Sequence, residues 1–474
     1  MESQKVEQIR NMVWSSFDQS LPVLIDILRI PSMSREFDPE YLTNGLLMET
    51  VKSFEKYIRG ANLKNAQIEI HSDEGFSPFL YVEVDGSDGM NDGTVLLYGH
   101  MDKQPPFTGW RDGLSAYDPK IIDNKLYGRG GADDGYAIMA SIISIKTIQE
   151  LGLKHPRIIM AFEADEESGS QHIYHYLEKL QSKIGQVDLV IALDASCGSY
   201  DRLWVTTTLR GIVVGTVTVQ VLEEGIHSGA SGNVPSSFRI FRQLLNRIDN
   251  PQTGDVVDEF QVIVPGKRYL ETQKTAEVFK EVITKFPFHC NTQPVFQDRF
   301  RVYLNKIWRA QLSVVGADDL PNCIQAGNVL LPKTTLKLSL RIPPTKNHLE
   351  AKESFVRLLT TDVPYNATVT INALRSGPGF NALDNQPYLD SIINQASLDY
   401  YGNEATTFGD GGAIYLMTHL QTIYPKAQFL IIGVLGTGAN EHGPNECLDL
   451  PNVKKLISCI TQIISEVQPH IKKL

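Results

Sequence analysis

The sequence lacks the features that mark membrane, secreted and nucleic-acid-binding proteins. No uninterrupted apolar run approaches the roughly 18 residues of a transmembrane helix, which excludes an ordinary membrane span. Positive charge is not in excess: 44 Lys and Arg stand against 55 Asp and Glu. The net charge of -11 argues against nucleic acid or a membrane as the main partner. The N-terminus has neither the basic start nor the apolar stretch of a signal peptide, so we expect a cytoplasmic protein.

Cysteine is scarce and follows no metal-binding pattern. The five cysteines are widely spread and include no CxxC motif: Cys197, Cys290, Cys323, Cys447 and Cys459. An odd number with this spacing argues against a disulfide framework and is typical of reduced thiols in a reducing compartment. We expect each of them to be a small buried hydrophobe.

The remaining composition is that of a globular protein with more than one domain. Hydrophobic residues make up 42% and charged residues 21% of the chain, and both values are ordinary. A length of 474 residues exceeds the size at which a single core usually stops growing, so two or three domains are expected. The sequence contains no internal repeat and no low-complexity tract.

Strand and helix patterns alternate along the first part of the chain. An amphipathic helix is predicted at about 5–30, where Pro22 should break or kink it. The patterns that follow are strands at 67–71, 79–84 and 94–98, a helix at 136–149, a strand at 157–162, a helix at 171–180 and a strand at 187–193. This alternation indicates an α/β fold with a mostly parallel central sheet flanked by helices.

The pattern changes near residue 209. A strictly alternating strand at 216–221 is followed by a helix at 236–248, another alternating strand at 336–341, a helix at about 348–359 and a last strand at 369–371. Strand-helix-strand-strand-helix-strand is the order of the split βαβ sandwich. We therefore expect an inserted α+β domain at 209–378, which divides the first domain into 1–208 and 379–474. The stretch 251–320 is longer than this sandwich needs.

Five short motifs place possible metal ligands at predicted strand ends or in the loops that lead into helices. In chain order they are Gly99-His100-Met101-Asp102, Gly130-Gly131-Ala132-Asp133-Asp134-Gly135, Asp165-Glu166-Glu167-Ser168-Gly169, Leu193-Asp194-Ala195 and Glu441-His442-Gly443-Pro444-Asn445-Glu446. Open α/β sheets bind their ligands at the carboxyl ends of the strands. Two histidines and several carboxylates, with no cysteine, favour Zn²⁺, with Mn²⁺ or Co²⁺ as alternatives.

Each motif also has an ordinary structural interpretation. His100 is a candidate ligand, and Asp102 could accept a hydrogen bond from its other ring nitrogen, but His-x-Asp sequences are common. Asp133 and Asp134 follow a glycine-rich loop, and one could bridge two cations, although Asp pairs before helices are more often caps. The weight of the prediction therefore rests on the five motifs together.

The later motifs add carboxylates and a second imidazole. Adjacent Glu166 and Glu167 point in different directions, so one can bind a metal while the other handles a proton. A solvated helix N-terminus would explain the same residues. Asp194 closes an apolar strand, and His442 lies in a loop where a histidine without a role is the default expectation.

These motifs resemble the di-zinc metallopeptidases that include carnosinase-type dipeptidases, aminoacylases, glutamate carboxypeptidases, and acetylornithine and succinyl-diaminopimelate deacylases. The matching segments are Tyr98-Gly99-His100-Met101-Asp102, Leu126-Tyr127-Gly128-Arg129-Gly130 with Asp133-Asp134, Glu166-Glu167-Ser168-Gly169 and His442-Gly443-Pro444-Asn445-Glu446. The resemblance extends over almost the whole chain, including the inserted domain. Residues 100–106 look most like the carnosinase-type dipeptidase branch.

The resemblance implies a centre of two divalent metal ions. Asp133 would bridge them, His100 and Asp194 would complete the shell of one, and Glu167 and His442 that of the other. It also implies hydrolysis of the peptide bond of dipeptides or short peptides, with a metal-bridging water as the nucleophile.

The same resemblance assigns the proton chemistry. Glu166 would be the general base and acid, and Asp102 would support His100. The peptide bond between Asp133 and Asp134 is often cis in the family.

The resemblance also implies that the inserted domain is a lid and dimerisation domain. His227 would stabilise the oxyanion, often from the neighbouring subunit, which implies a homodimer. Arg341 would hold the terminal carboxylate of the substrate through its guanidinium fork. Asn328, Gly412 and Ala413 are further substrate-binding candidates.

Two departures bear on the substrate. Gly135-Tyr136 stands where the family usually has a lysine after the Asp pair, and Gly409-Asp410-Gly411-Gly412-Ala413 stands where it often has Arg-Glu-Gly-Gly-Ser. An N-acyl amino acid deacylase is therefore an alternative to a dipeptidase. A non-catalytic binding protein on the same fold is the alternative from another class.

Overall fold

The computed structural model describes residues 2–89, 93–283, 286, 288–412 and 414–471. Its helices are α1 (Glu2–Leu28), α2 (Leu46–Gly60), α3 (Tyr136–Glu150), α4 (Gln171–Lys179), α5 (Gln181–Ile184), α6 (Ser237–Leu245), α7 (Gly266–Val278), α8 (Arg299–Trp308), α9 (His348–Thr360), α10 (Pro387–Tyr401), α11 (Tyr415–Ile423) and α12 (Leu450–Ile471).

The strands are β1 (Ala66–His71), β2 (Phe79–Val84), β3 (Thr94–His100), β4 (Lys120–Ile122), β5 (Lys125–Tyr127), β6 (Arg157–Glu163), β7 (Leu189–Ala192), β8 (Trp204–Leu209), β9 (Gly211–Gln220), β10 (Ile226–His227), β11 (Gln311–Asp318), β12 (Val329–Leu330), β13 (Lys333–Ile342), β14 (Thr368–Gly377), β15 (Phe380–Asn381), β16 (Thr406–Asp410), β17 (Gln428–Ile431) and β18 (Cys447–Asp449).

The largest sheet has the order β1-β2-β6-β3-β7-β17-β8-β15, and β16 pairs with β8. The central strands β6, β3, β7 and β17 run parallel, whereas the pairs β1–β2 and β2–β6 are antiparallel. All seven residues of β3 are buried, as expected of a parallel strand covered on both faces. The predicted α/β class with a mostly parallel centre is confirmed.

Alternate side chains of β3 enter two different hydrophobic cores. Val95 and Leu97 pack in the core formed with α1, α2, α3, α10 and α12. Leu96 and Tyr98 pack in the core formed with α4 and α11 on the opposite face. Burying each large apolar side chain contributes about 1.5–3 kcal/mol, so β3 is held firmly from both sides. This places its last residue, His100, at a fixed point on the sheet edge.

Helix α1 differs from its prediction in one respect. A break or a kink was predicted at Pro22, and the helix continues from Glu2 to Leu28 without a break. Leu24 and Leu28 beyond the proline are buried in the same core as Ile9 before it. Tertiary packing on both sides of Pro22 therefore outweighs the lost backbone hydrogen bond.

The inserted segment builds a separate four-stranded antiparallel sheet of order β11-β13-β9-β14. Helices α6 and α9 pack on it around Val217, Phe241, Leu338 and Phe355. The element order is that of the predicted split βαβ type. Strand β11 lies within 251–320, where the sequence pattern had located no strand. The domain boundaries at 208 and 379 stay a prediction.

Helices α7 and α8 of the stretch 251–320 pack on the central sheet. Phe279, which follows α7, and Tyr303 of α8 form a buried aromatic cluster with Trp204 of β8 and Phe408 of β16. This stretch therefore joins the inserted sheet to the edge of the larger one.

The described ranges contain neither a helix that could cross a membrane nor a disulfide. Within the described ranges, no helix has the length and apolar character needed to cross a bilayer. No disulfide links the cysteines of those ranges, and three cysteines are buried, but Cys290 and Cys323 are exposed. The expectation that every cysteine is buried is wrong for these two, because both lie in exposed loops.

Candidate active site

The predicted ligands meet at one edge of the central sheet. His100 ends β3, and β3 pairs in parallel with both β6 and β7. Glu167 follows β6 in a short turn, and Asp194 comes two residues after β7. Parallel strands carry these side chains to a common edge because their carboxyl ends coincide. The loop before α3 and the loop between β17 and β18 bring two more side chains to the same place.

Five side chains form two groups that share Asp133. His100, Asp133 and Asp194 have potential ligand atoms within 4.8 Å of one another, and so do Asp133, Glu167 and His442. The His100 Nε2 atom lies 3.0 Å from Asp133 Oδ1 and 3.9 Å from Asp194 Oδ2. The His442 Nε2 atom lies 3.1 Å from Asp133 Oδ2 and 3.3 Å from Glu167 Oε2. The two oxygens of Asp133 thus face different imidazoles.

Asp102 connects two of the strand ends. The His100 Nδ1 atom lies 3.1 Å from the backbone oxygen of Asp102 and 3.4 Å from its carboxylate. That carboxylate accepts hydrogen bonds from the backbone N–H groups of Glu166, at 3.2 Å, and Glu167, at 3.0 Å. The sequence predicted only the histidine contact. Contacts to Glu166 and Glu167 show that Asp102 also fixes the neighbouring turn.

The Asp133–Asp134 peptide bond is cis, as the resemblance implied. Gly130, which begins this loop, has a φ of 84°. A Cβ atom on Gly130 would also lie 2.8 Å from the side chain of Lys103, so glycine satisfies both the conformation and the space. The Asp134 side chain turns away from the shared group and accepts a hydrogen bond from the His100 backbone N–H at 3.2 Å.

The site contains more buried negative charge than its histidines balance. Burial and the charge of Asp194 raise the pKa of Glu166 well above its usual range. Burial and the charge of Asp133 do the same to the pKa of Glu167. Burial raises the pKa of Asp194 to about 6. Carboxylates are unstable as anions in such a place unless a cation accompanies them.

The imidazoles respond to the same field. Burial disfavours protonation of His100, but its contacts with Asp102 and Asp133 outweigh burial and raise its pKa well above the usual range. Burial likewise opposes protonation of His442, and Asp133 overcomes it to raise the pKa. Protons on the histidines therefore offset part of the carboxylate charge that divalent cations would otherwise neutralise.

The donor set fits divalent metal ions. Each of the two groups combines one imidazole with two carboxylates, the mixed shell that Zn²⁺ accepts. In the described part of the chain, the buried Oε1 atom of Glu167 has no hydrogen-bond partner. Buried polar atoms normally have partners, and a cation beside this carboxylate would supply one.

A cavity of about 920 Å³ opens in front of these groups. Glu166 lines it beside Asp133, Glu167, Asp194 and His442. Aromatic and polar side chains of α4 and α11 also line it, namely Tyr174, Tyr415, Thr418, His419 and Thr422. The volume is sufficient for a substrate of a few residues.

An ion pair forms part of the lining of the cavity. Arg375 of β14 lies 3.3 Å from Glu36 in the loop after α1, and both line the cavity. Both side chains are exposed, so the attraction is weak in water. It nevertheless joins the inserted sheet to the loop that follows the first helix.

Two of the substrate-binding candidates lie at or near the cavity. Gly412 lines it. Burial lowers the pKa of Arg341, and the cavity-lining Tyr415 and Asp410 act on it in the opposite direction. Arg341 is therefore close to the wall of the cavity. Ala413 lies outside the described residues.

His227 and Asn328 are neighbours of each other on a separate part of the inserted domain. Strands β10 and β12 pair there, and His227 opposes Val329. The side chain of His227 is exposed, and its Nδ1 atom accepts a hydrogen bond from the backbone of Gly229. Among the described residues that line the cavity, neither His227 nor Asn328 is present. The structure of one chain does not bring them to the ligand groups.

Several residues at the site were not identified from the sequence. Gln104 donates a hydrogen bond to Glu167 Oε2, and the cavity-lining rings of Tyr174 and His419 contact each other in a tilted arrangement, with centroids 4.2 Å apart. Arg129 and Glu446 lie inside quoted motifs but received no role. Arg129 and Glu446 could have been identified by their position close to predicted ligands in the sequence. Tyr174 and His419 lie on helices with no motif to mark them.

Known proteins resemble this chain over most of its length. The model of Peptidase family M20/M25/M40 matches residues 96–466. The Cys-Gly metallodipeptidase dug1 of Schizosaccharomyces pombe is 25% identical over 484 aligned positions, which cover 98% of this chain and 98% of that protein. The Beta-Ala-His dipeptidase of Homo sapiens is 27% identical over 396 positions, covering 78% of this chain and 73% of the relative.

The fold is shared with solved structures. The crystal structure of human carnosine dipeptidase 1 superposes with a TM-score of 0.77 and covers 99% of both chains at 19% sequence identity. The family match begins within β3 and ends within α12, so it includes every ligand candidate and the inserted sheet. The chain belongs to Peptidase family M20/M25/M40.

Proposed function

We propose that this protein hydrolyses the peptide bond of dipeptides with the help of two divalent metal ions. The observation that carries the proposal is the pair of ligand groups that share Asp133, with Glu166 beside them on the wall of a cavity. Relatives named as dipeptidases support the reaction class. Zn²⁺ suits the imidazole and carboxylate donors best, and Mn²⁺ or Co²⁺ would also fit them.

The five residues of the two ligand groups would hold the metal ions: His100, Asp133, Glu167, Asp194 and His442. When bound there, divalent cations polarise a substrate carbonyl and acidify water. Glu166 would take a proton from the attacking water and deliver it to the leaving amine. Burial raises the pKa of Glu166, which makes it a stronger proton acceptor than an ordinary carboxylate. Its backbone is fixed by Asp102, which keeps the carboxylate in position.

Substrate orientation would depend on Arg341. Its guanidinium is largely removed from water and lies near Tyr415 and Asp410 at the cavity wall. A free substrate carboxylate would form a bidentate pair with this fork, since both groups are planar. A dipeptide bound in this way would present its amide bond toward the ligand groups.

The choice between dipeptides and N-acyl amino acids can be decided by kinetics. Unblocked dipeptides are expected to have a higher kcat/KM than N-acetyl or N-succinyl amino acids with the same terminal residue, measured with Zn²⁺ or Mn²⁺ present. Both substrate types carry the carboxylate that Arg341 would bind. A difference in kcat/KM therefore reports on recognition of the group at the amino end of the substrate. A higher kcat/KM for the acyl compounds would assign the chain to the deacylases instead.

We infer that the protein is a homodimer in which His227 completes the site of the partner. His227 is exposed on the β10–β12 pair, apart from the cavity of its own chain. The inserted sheet also ends at β11, an edge strand on which Val314 is 50% and Val315 57% exposed. Apolar edges of this kind are normally covered by another chain or element. The cytoplasmic location stays a prediction.

Mixed dimers test the role of His227. The variants His227→Ala and Glu166→Gln should each be inactive alone, whereas dimers containing one of each should regain one working site. The reason is that one site then has both an intact Glu166 and an intact partner histidine. Activity is measured after subunit exchange, with mixed dimers verified by differential tags.

A second mixture provides the control. His100→Ala and Glu166→Gln both damage the site of their own chain, so their mixed dimers should stay inactive. Inactivity of verified His227→Ala and Glu166→Gln mixed dimers would show that His227 does not act across the interface.

A further inference from the structure

Arg129 and Glu446 form an ion pair buried beneath the ligand groups. The Arg129 Nη1 atom lies 2.6 Å from Glu446 Oε2, and the two side chains are 1% and 0% exposed. The residues are 317 positions apart in the chain. Neither one lines the cavity among its described residues, so their influence on a bound metal ion or substrate has to pass through other groups.

Glu446 holds the loop that carries Asp133. Its Oε1 atom accepts hydrogen bonds from the backbone N–H groups of Gly130, at 3.0 Å, Ala132, at 3.2 Å, and Asp133 itself, at 3.3 Å. Three N–H donors converging on one carboxylate oxygen fix the path of the backbone. The position of the Asp133 side chain is set by this path.

Arg129 holds two other loops through its remaining donors. Its Nη2 atom donates to the backbone oxygen of Gly443, at 2.8 Å, and its Nε atom to that of Pro105, at 3.2 Å. Gly443 directly follows His442. Pro105 directly follows Gln104, which donates to Glu167. The Arg129 guanidinium thus connects the segments next to Glu167 and His442, the two residues that form a ligand group with Asp133.

The loop of His442 needs such support. Asn440, His442 and Asn445 all have positive φ values, of 52°, 61° and 64°. Residues with a Cβ atom adopt this conformation at an energetic cost, and it persists only when the surroundings enforce it. The His442 side chain is also 56% exposed, so packing alone does not hold it.

We propose that Arg129 and Glu446 are positioning residues that set the separation of Asp133 and His442 and thereby the affinity of the metal centre. The inference rests on the proposed function, because it concerns the metal ions assigned there. The simpler interpretation is a buried ion pair that stabilises the fold and has no effect on the ligands. Stability and metal affinity must therefore be measured separately.

The variant Glu446→Gln tests the proposal against a matched control, Glu83→Gln. Glu83 pairs with Arg157 at 2.6 Å, with side chains 13% and 12% exposed. Arg157 begins β6, at the end of the sheet opposite the ligands. Both substitutions remove the anion of an enclosed Arg–Glu pair, but only one of these pairs contacts the ligand loops.

We expect Glu446→Gln to weaken Zn²⁺ binding by about 10- to 100-fold, the usual effect of losing a residue that orients metal ligands. Glu83→Gln should lower the unfolding temperature of the metal-free protein but leave Zn²⁺ affinity unchanged. Affinity is measured by competition with a chromophoric chelator, and stability by thermal unfolding in excess chelator. At saturating Zn²⁺, the KM of Glu446→Gln should stay close to that of the wild type, because substrate contacts are intact.

The possible results distinguish a failure of the positioning role from a failure of the proposed function. Equal Zn²⁺ affinity of wild type and Glu446→Gln would overturn the positioning role while leaving the proposed function intact. A wild-type chain that binds no divalent metal would overturn the proposed function and this inference together. If Glu446→Gln does not fold, Arg129→Lys takes its place, since lysine keeps the charge but cannot reach Glu446, Gly443 and Pro105 at once. Unchanged affinity in that variant would equally reject the proposal.

Discussion

Replacing Glu166 by glutamine is expected to lower kcat by about 10²- to 10⁴-fold, the usual contribution of a general base and acid. Glutamine has nearly the same shape but can neither take the proton of water nor deliver it to the amine. Glu166 lies in neither ligand group, so the metal content should not change. The measurements are steady-state kinetics with a dipeptide and elemental analysis of the same protein sample.

Glu163→Gln is the matched control for this experiment. Burial, together with the charge of Asp102, raises the pKa of Glu163 to about 8. This carboxyl group is therefore mostly neutral at pH 7, and glutamine replaces it without a change of charge. It contacts Tyr98 and Ser170 rather than the cavity, so activity should be retained. Full activity in Glu166→Gln would remove the proposed mechanism, and absence of any hydrolase activity in the wild type would favour a binding protein on this fold.

Replacing Asp133 by asparagine should remove both metal ions and reduce activity to background. Asp133 is the only residue present in both ligand groups of the described chain, and its two oxygens face His100 and His442. A neutral amide offers one oxygen in place of two charged ones, so neither group keeps its full set. The loss of metal affinity should exceed the roughly 10- to 100-fold loss caused by replacing a residue that only orients the ligands.

Asp134→Asn is the control for loss of a neighbouring buried carboxyl group that belongs to neither ligand group. Asp134 is adjacent in sequence, but its carboxyl group accepts a hydrogen bond from the His100 backbone N–H, which the amide oxygen of asparagine can also accept. It should retain metal ions and most of the activity. Metal content is measured after dialysis against a weak chelator, with circular dichroism to verify folding. Retention of metal by Asp133→Asn would show that the shared carboxylate does not join the two groups.

The sequence predicted the parts of the fold that have a regular hydrophobic pattern. Strands β3, β6 and β7 are fully or almost fully buried, and their apolar runs were read correctly. Because the ligand motifs follow such strands, their meeting at one sheet edge could also be predicted. Strand β11 was missed because it is an edge strand with mostly exposed residues and no alternation.

The contacts that hold the site together could not be predicted in the same way. The bond between Arg129 and Glu446 joins distant positions and depends on how the loops close, which no local pattern records. The absence of a break at Pro22 could not be predicted either, because packing against α3 and α12 decides whether the helix continues. Assigning Glu446 a role would have required knowing that its neighbours in space are the N–H groups of the Asp133 loop.

The wide spacing of the ligands has a consequence for synthesis of the chain. Four of them fall in the stretch from His100 to Asp194, but His442 and the supporting Glu446 come only after the inserted sheet. A growing chain therefore carries an acidic sheet edge long before it can complete the centre. Since folding proceeds from the N-terminus during translation, the ribosome must release the chain through His442 before the site can form. Unfinished chains then have no complete centre with which to attack peptides.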